Sequence, residues 1–269
     1  MSEIAVLLPV YKNDDPILFA SALDSIFTQS YQEFDLIIVQ DGPVDVRIAD
    51  IIEDAVKDKD NVKTIVLEEN VGLVKALNFA LHNLHHKIII RCDADDYNYP
   101  DRFKVMVEYY LAKDLKLLGA QILEENSDTH EQTKKILPCD LDRIRSFALF
   151  RNPINHMACM FDRKTALELG GYPDLLFKED YGLWLKFLKV TDKIANLPDY
   201  LVKATTSNAF YLRRSGKRHF KSEIDLYKLK LNLALWPSYL ITTSFVVRSL
   251  IFFSPSSLIK RLYKSFLRK

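Results

Sequence analysis

Apolar runs and helix-spaced apolar positions alternate along the first hundred residues. Ile4–Tyr11 is a near-continuous apolar run, as expected for a parallel strand covered on both faces. Lys12–Pro16 follows as a loop with helix-start character. Leu18, Ala22, Leu23, Ile26 and Phe27 then recur at helical spacing. Phe34–Val39 is a second buried strand, ended by Gln40-Asp41 and turned by Gly42-Pro43. A helical pattern over 46–57, a strand at Val62–Leu67, a turn at Asn70-Val71-Gly72 and a helix through Leu84 precede an apolar strand at Ile88–Arg91. The order β-α-β-α-β-α-β predicts an α/β fold, a doubly wound, mostly parallel sheet flanked by helices. Such sheets bind ligands at the carboxyl ends of their strands. Pro9–Tyr11, Asp41 and Asp93–Asp96 all stand at predicted strand ends and should converge on one edge.

Beyond Asp96 the pattern predicts a turn at Tyr97–Pro100, a helix over Asp101–Lys113 and a strand at Leu115–Leu123. Residues 124–135 are polar and read as an exposed loop or hairpin. A helix at Leu141–Phe150, a strand at Met157–Phe161, a short helix at Lys164–Leu169, a helix headed by Glu179-Asp180 and a strand and turn at Ile194–Ala204 complete the body. The expected division is a catalytic domain over 1–206, with a nucleotide-binding half (1–100) and an acceptor half (101–206), and a separate region at 207–269.

Charge sharpens that division. Residues 1–206 carry 24 Lys/Arg against 34 Asp/Glu, and residues 207–269 carry 13 against two. An acidic body with a basic tail points to an anionic surface as the tail's partner. Lys221–Leu235 reads as helix. The apolar segment Tyr239–Phe253 is shorter than the ~20 residues a spanning helix needs and is interrupted by Arg248. Ser254-Pro255 reads as a helix start. The final helix puts Leu258, Ile259, Leu262, Tyr263, Phe266 and Leu267 opposite Lys260, Arg261, Lys264, Arg268 and Lys269, an interfacial pattern. The expectation is peripheral association with anionic lipid. The alternative is packing on the protein's own body. Nucleic acid is not expected, because the tail is too apolar for a phosphate-tracking arm. Three widely spaced cysteines, Cys92, Cys139 and Cys159, fit a reduced compartment. The Met-Ser-Glu start runs directly into the first strand, so no signal peptide is expected.

The strongest chemical signal is Asp93-Ala94-Asp95-Asp96. Three carboxylates within four residues repel one another unless a cation sits among them. A hard divalent metal carrying phosphates suits such a cluster. The alternative is an acidic, solvated turn.

Leu8–Tyr11, Val39–Pro43, Asn70–Asn78, Arg91–Asp96, Pro100–Phe103, Gly170–Tyr172 and Glu179–Trp184 succeed one another in an order that resembles family-2 glycosyltransferases of the GT-A fold. Tyr211–Gly216 followed by Phe220–Glu223 resembles the bacterial amylovoran and O-antigen subgroup. The resemblance implies an inverting, metal-dependent hexosyltransferase that uses Mn²⁺ or Mg²⁺ and a nucleotide sugar, a UDP-sugar (UDP-Gal, UDP-Glc or an N-acetyl form). It implies an undecaprenyl-diphosphate-linked saccharide acceptor and a cytoplasmic location, peripheral on the inner face of the bacterial inner membrane. Gln40 and Pro43 depart from the family's usual two-acid motif at the second strand, while Asp41 keeps the position that contacts the base.

The resemblance also suggests roles. Asp95 would hold the metal, with Asp93 nearer the sugar nucleotide. Asp96 would bind donor sugar or cap the next turn. Asp180 would be the general base of the Glu-Asp pair, with Glu179 orienting the acceptor or merely capping the helix. Pro9, Tyr11, Asn70, Gly72 and Lys75 lie where relatives approach the nucleotide, although Lys75 also reads as a solvated helix charge. Arg91 and Arg102 would brace the aspartates by ion pairing. His156 and Trp184 fall on the acceptor side, where His156 also reads as structural and Trp184 as core. Arg213 and Arg214 would clamp a diphosphate or face lipid headgroups.

Two other classes compete. A phosphohydrolase would use Asp93 as nucleophile, but Tyr97 stands where that pattern wants Thr or Val. A dehydrogenase would need a GxGxxG that seven glycines do not form.

Overall fold

A computed structural model describes residues 2–206 and 217–252. Strands β1 (Ile4–Tyr11), β2 (Asp35–Asp41), β3 (Val62–Leu67) and β4 (Ile88–Arg91) alternate with helices α1 (Pro16–Phe27), α2 (Val46–Val56) and α3 (Leu73–Asn83). Then come β5 (Tyr97–Asn98), α4 (Arg102–Ala112), β6 (Leu117–Asn126), β7 (Gln132–Lys135), α5 (Leu141–Ala148), a 3₁₀ turn (His156–Ala158), β8 (Cys159–Asp162), α6 (Arg163–Glu168), α7 (Glu179–Val190) and β9 (Ile194–Thr206). Two helices close the described chain, α8 (Lys217–Leu233) and α9 (Ser238–Phe252).

The strands form one mixed sheet in the order β3-β2-β1-β4-β8-β6-β9-β5, with β7 paired to β6. β1 to β4 are mutually parallel, whereas β8 runs antiparallel to both β4 and β6. Alternate strand residues feed two cores, because successive side chains point to opposite faces. Val6, Leu8, Ile38 and Ile90 pack with α1, α2 and α4, and Ala5, Leu7, Ile37 and Ile89 pack with α3, α5, α6 and α7.

Register positions the site. Tyr11, Asp41 and Leu67 stand level across β1, β2 and β3, while Arg91 stands opposite Leu7. β4 therefore ends four positions short of β1. Residues 93–96 leave the ladder beside Leu8–Tyr11 instead of extending it, and the antiparallel pairing of Tyr97 and Asn98 with Lys203 and Val202 anchors the far end of that loop.

Several expectations change. The turn at Tyr97–Pro100 contains β5, and the polar stretch 124–135 is a hairpin, with Leu123 facing Lys134. The strand at Met157 starts later, at Cys159, because the chain first makes a 3₁₀ turn. The basic tail's first helix begins at Lys217 and packs through Leu226 into the core against α7. α9 folds back along α8, with Tyr227 Oη 3.2 Å from Thr242 Oγ1 and the Tyr227 and Phe245 ring centroids 4.7 Å apart. Arg248, expected to interrupt an apolar segment, faces inward and pairs with buried Glu223. The apolar residues Tyr239, Val246, Val247 and Leu250 face outward. Among the described residues no helix is long and apolar enough to cross a membrane. The expected final helix, Arg213 and Arg214 lie outside the described residues.

Candidate active site

The loop after β1 holds two adjacent acids with different tasks. Asp15 caps α1 by accepting from the N–H groups of Ile17 (2.8 Å) and Leu18 (3.2 Å). Asp14 turns back and accepts from the Tyr11 N–H at 2.8 Å. Burial pushes the Asp14 carboxyl up to about 6 against that hydrogen bond, and the charge of Asp93 adds to the shift. Asp14 thus belongs to the same acidic site as the Asp93 cluster. Two acids in a loop at a strand end were its only trace in the sequence.

At the end of β2, Asp41 organises the neighbouring loop. Its Oδ1 accepts from the Val71 N–H at 2.7 Å, and its Oδ2 accepts from the Gly72 N–H at 3.0 Å and the Asn70 amide at 3.1 Å. Gly42 makes this approach possible: it sits at φ +81°, and a Cβ there would lie 2.5 Å from the Asn70 nitrogen. Gly72, at φ +88°, then opens α3. Asp41, expected at the base-contacting position, also holds the Asn70–Gly72 loop in place. Asn70 is exposed, as are Tyr11 at the end of β1 and Lys75 in the first turn of α3. Pro9 is enclosed within β1. Its side chain is therefore part of the sheet and not of a ligand-facing surface.

The aspartate cluster is braced from below. Buried Arg91 donates from Nη2 to Asp93 Oδ1 at 2.5 Å. Arg102, also fully buried, makes no direct ion pair with a carboxylate among the described residues. It donates to the Arg91 carbonyl at 2.7 Å and to Asn98 Oδ1, which holds the loop's backbone, while its charge favours the ionised form of Asp96 from a distance. Desolvation by the surrounding loops and the charges of Asp93 and Asp14 push the Asp95 carboxyl up to about 7. Asp96 is buried and ties the loop to β9 by accepting from the Thr205 N–H at 2.9 Å. Its other oxygen has no partner among the described residues, and burial followed by Asp93 and Asp95 pushes its carboxyl well up. One oxygen from each of Asp93, Asp95 and Asp96 lies within 4.8 Å of the others. Crowded oxygen donors, raised proton affinity and an orphaned buried oxygen fit a hard divalent cation.

Glu179 and Asp180 open α7. Asp180 Oδ1 accepts from the Tyr181 N–H and its Oδ2 from the Asn152 amide, both at 2.6 Å. Burial raises the Asp180 carboxyl, and these two donors work against it. Burial and the neighbouring Asp180 push Glu179 up to about 7. The charge of Asp93 reaches both acids and adds to the rise. Asn152 escaped sequence reasoning, because its contact with Asp180 spans 28 residues.

His156 and Trp184 do not face this site. Trp184 is fully buried against Phe161 and Phe187, and His156 is stacked edge-on to Trp184 with Nε2 2.9 Å from Tyr172 Oη. Burial and the Arg91 charge hold the His156 ring well below its usual range, which leaves it neutral. Both residues are walls of the core behind α7, because their rings fill the space between β8 and that helix.

The strand-edge acidic cluster and the helix-borne Glu-Asp pair occur in a chain whose residues 5–169 match the model of Glycosyl transferase family 2. The chain belongs to that family and is a nucleotide-sugar glycosyltransferase. It is 31% identical over 263 residues, covering 97% of each chain, to the amylovoran biosynthesis glycosyltransferase AmsE of Erwinia amylovora. It is 29% identical to the Escherichia coli UDP-Gal:alpha-D-GlcNAc-diphosphoundecaprenol beta-1,3-galactosyltransferase, covering 99% of this chain and 97% of the relative. The fold is that of the solved Staphylococcus aureus TarS fragment 1–349, with a TM-score of 0.70 at 19% identity over 99% of this chain and 75% of that one. It is also similar to a Pyrobaculum calidifontis mannosyltransferase solved with GDP-Man and Mn²⁺, with a TM-score of 0.60 at 16% identity over 96% of this chain and 78% of that one. Family membership leaves the phosphohydrolase reading without support.

Proposed function

We propose that the protein transfers a hexose from a UDP-sugar, with inversion, to a lipid-diphosphate-linked saccharide during the assembly of a bacterial surface polysaccharide. The observation that carries the chemistry is the pairing of a cation-seeking cluster, Asp93–Asp96, with a desolvated Glu179-Asp180 pair at one sheet edge. The Escherichia coli relative, whose name states a UDP-Gal donor and a diphosphoundecaprenol acceptor, supports the substrate class along nearly its whole length.

In this reading the exposed Tyr11 and the Asn70–Gly72 loop receive the nucleotide, with Lys75 at hand for phosphate. Asp95 and Asp93 hold Mn²⁺ or Mg²⁺. When bound, the cation offsets the diphosphate charge and stabilises the leaving nucleoside diphosphate. Asp180 accepts the proton of the acceptor hydroxyl as that oxygen bonds to the anomeric carbon and the bond to the diphosphate breaks on the opposite face. Asn152 and the Tyr181 N–H fix the base's direction.

The test is a panel of UDP-Gal, UDP-Glc, UDP-GlcNAc, UDP-GalNAc and GDP-Man with Mn²⁺, each offered with a GlcNAc-diphosphate lipid and a plain polyprenyl phosphate. The expected result is transfer from one UDP-sugar to the diphosphate lipid. Transfer from GDP-Man alone, or to the monophosphate alone, refutes the assignment.

The outward face of α9 supports a membrane position. Tyr239, Val246, Val247 and Leu250 are 68%, 51%, 48% and 62% exposed, and residues 253–269 beyond them carry five basic residues and no acid. An apolar stripe next to a basic segment fits an anionic bilayer. The double substitution Val246→Asp/Leu250→Asp should move the protein from the membrane to the soluble fraction, as should deletion of 237–269. An unchanged distribution refutes this placement.

A further inference from the structure

We infer that the α8–α9 pair holds the candidate base in place, with Glu223, Lys230 and Arg248 as positioning residues; this rests on the reading of Asp180 as the base. Two backbone segments flank Asp180, and helices from the far end of the chain grip both. On one side, Lys178, the residue before Glu179-Asp180, donates to Ser222 Oγ at 3.0 Å and pairs with Glu223 at 3.3 Å. Ser222 Oγ in turn donates to the Leu176 carbonyl. Between them Phe177 adopts a left-handed φ of 65°, and its ring stacks on His219 of α8 at 4.1 Å. A non-glycine residue in that region persists only where its surroundings hold it.

On the other side, Lys230 Nζ donates to the Leu149 carbonyl at 2.7 Å, and Arg248 donates to the Phe150 carbonyl. Two residues further on, Asn152 donates to Asp180. Tyr181 closes the loop by donating to the Ala148 carbonyl at 2.6 Å, with Lys230 lying over its ring.

Glu223 is the hub. It is 2% exposed and receives Arg248 through Nε at 2.5 Å and Nη2 at 2.8 Å, besides Lys178. A buried carboxylate with two cations is stable only as a complete set, and removing it leaves uncompensated charge. Glu223, Lys230 and Arg248 act on the base only through the segments 148–152 and 176–180. Their loss should therefore misplace Asp180 without touching the donor side.

The full-length enzyme is assayed with whichever donor and diphosphate lipid of the panel it turns over, alongside UDP binding with Mn²⁺. Glu223→Gln should lower kcat by roughly 10- to 100-fold, the scale of a small misplacement of a reacting group, with the donor KM and UDP affinity unchanged. Lys230→Met should behave alike and Lys230→Arg should retain turnover. In an Asp180→Ala background, measured by single turnover with excess enzyme, Glu223→Gln should add nothing. If Glu223→Gln does not fold, Arg248→Lys carries the same expectation, because it keeps a charge near Glu223 and loses the fork that also reaches Phe150. Wild-type kcat in the folded variant overturns the inference, and so does a loss that multiplies with that of Asp180→Ala. Wild-type turnover by Asp180→Ala itself would instead remove the base assignment.

Discussion

If Asp180 is the general base proposed above, Asp180→Ala should lower kcat by about 10²- to 10⁴-fold, the usual contribution of such a group, and should leave UDP binding intact. The separation follows from geometry. Asp180 is held by α7 and Asn152, whereas the groups proposed to receive the nucleotide hang from β1, β2 and β4. The pH profile gives an independent check. The base must be ionised to accept a proton, and burial raises its carboxyl above the ordinary value of 3.8. Turnover should therefore decline with falling pH sooner than an ordinary carboxylate would dictate, on an acid limb shared with Glu179 at about 7. Asn152→Ala removes a donor that favours the ionised form. The limb should then move to higher pH. A limb that stays put or moves down separates Asp180 from catalysis, as does wild-type turnover by Asp180→Ala.

Asp95→Ala should abolish transfer and weaken Mn²⁺-dependent UDP binding by about 100-fold or more, in keeping with the several kcal/mol a metal supplies to phosphate charge. Its companion is a pH-dependent thermal shift. Asp95 at about 7 and Asp14 at about 6 both lie above the ordinary 3.8, so the folded state binds protons more tightly than the unfolded chain. Their contribution to stability is complete below pH 4 and is lost as pH rises through 6 to 7. Metal competes with those protons. In chelator-treated protein, Mn²⁺ should raise the melting temperature little at pH 5 and substantially at pH 8. An equal shift at both pH values, or one that survives in Asp95→Ala, places the cation elsewhere.

The strand ends, the aspartate cluster and the Glu179-Asp180 helix start were legible in the sequence. Unbroken apolar runs mark strands buried on both faces, and the polar residues that end such a run must lie at the sheet edge. Side-chain assignments inside one loop were not legible. Asp14 and Asp15 are neighbours of the same type, and only the backbone path decides that Asp15 caps α1 while Asp14 turns to the site. Asp41 and Asn152 depend on partners about 30 residues away, which spacing cannot show. His156 and Trp184 lie within or beside the functional motifs, yet face the core. α9 inverted the usual rule, since Arg248 points inward. Buried Glu223, 25 residues earlier, requires a counter-ion, and that demand outweighs the burial of Val246 or Leu250.

Asp41 has a wider bearing on how this family could diversify. Both of its oxygens are committed to the amides of Asn70, Val71 and Gly72. The acid therefore acts as a socket, and the exchangeable part is the short peptide plugged into it. On the proposed reading of this loop as nucleotide-facing, changing residues 70 and 71 while keeping the socket and Gly72 would vary the surface offered to the donor without disturbing the sheet. On that reading, two enzymes sharing the aspartate need not share a donor.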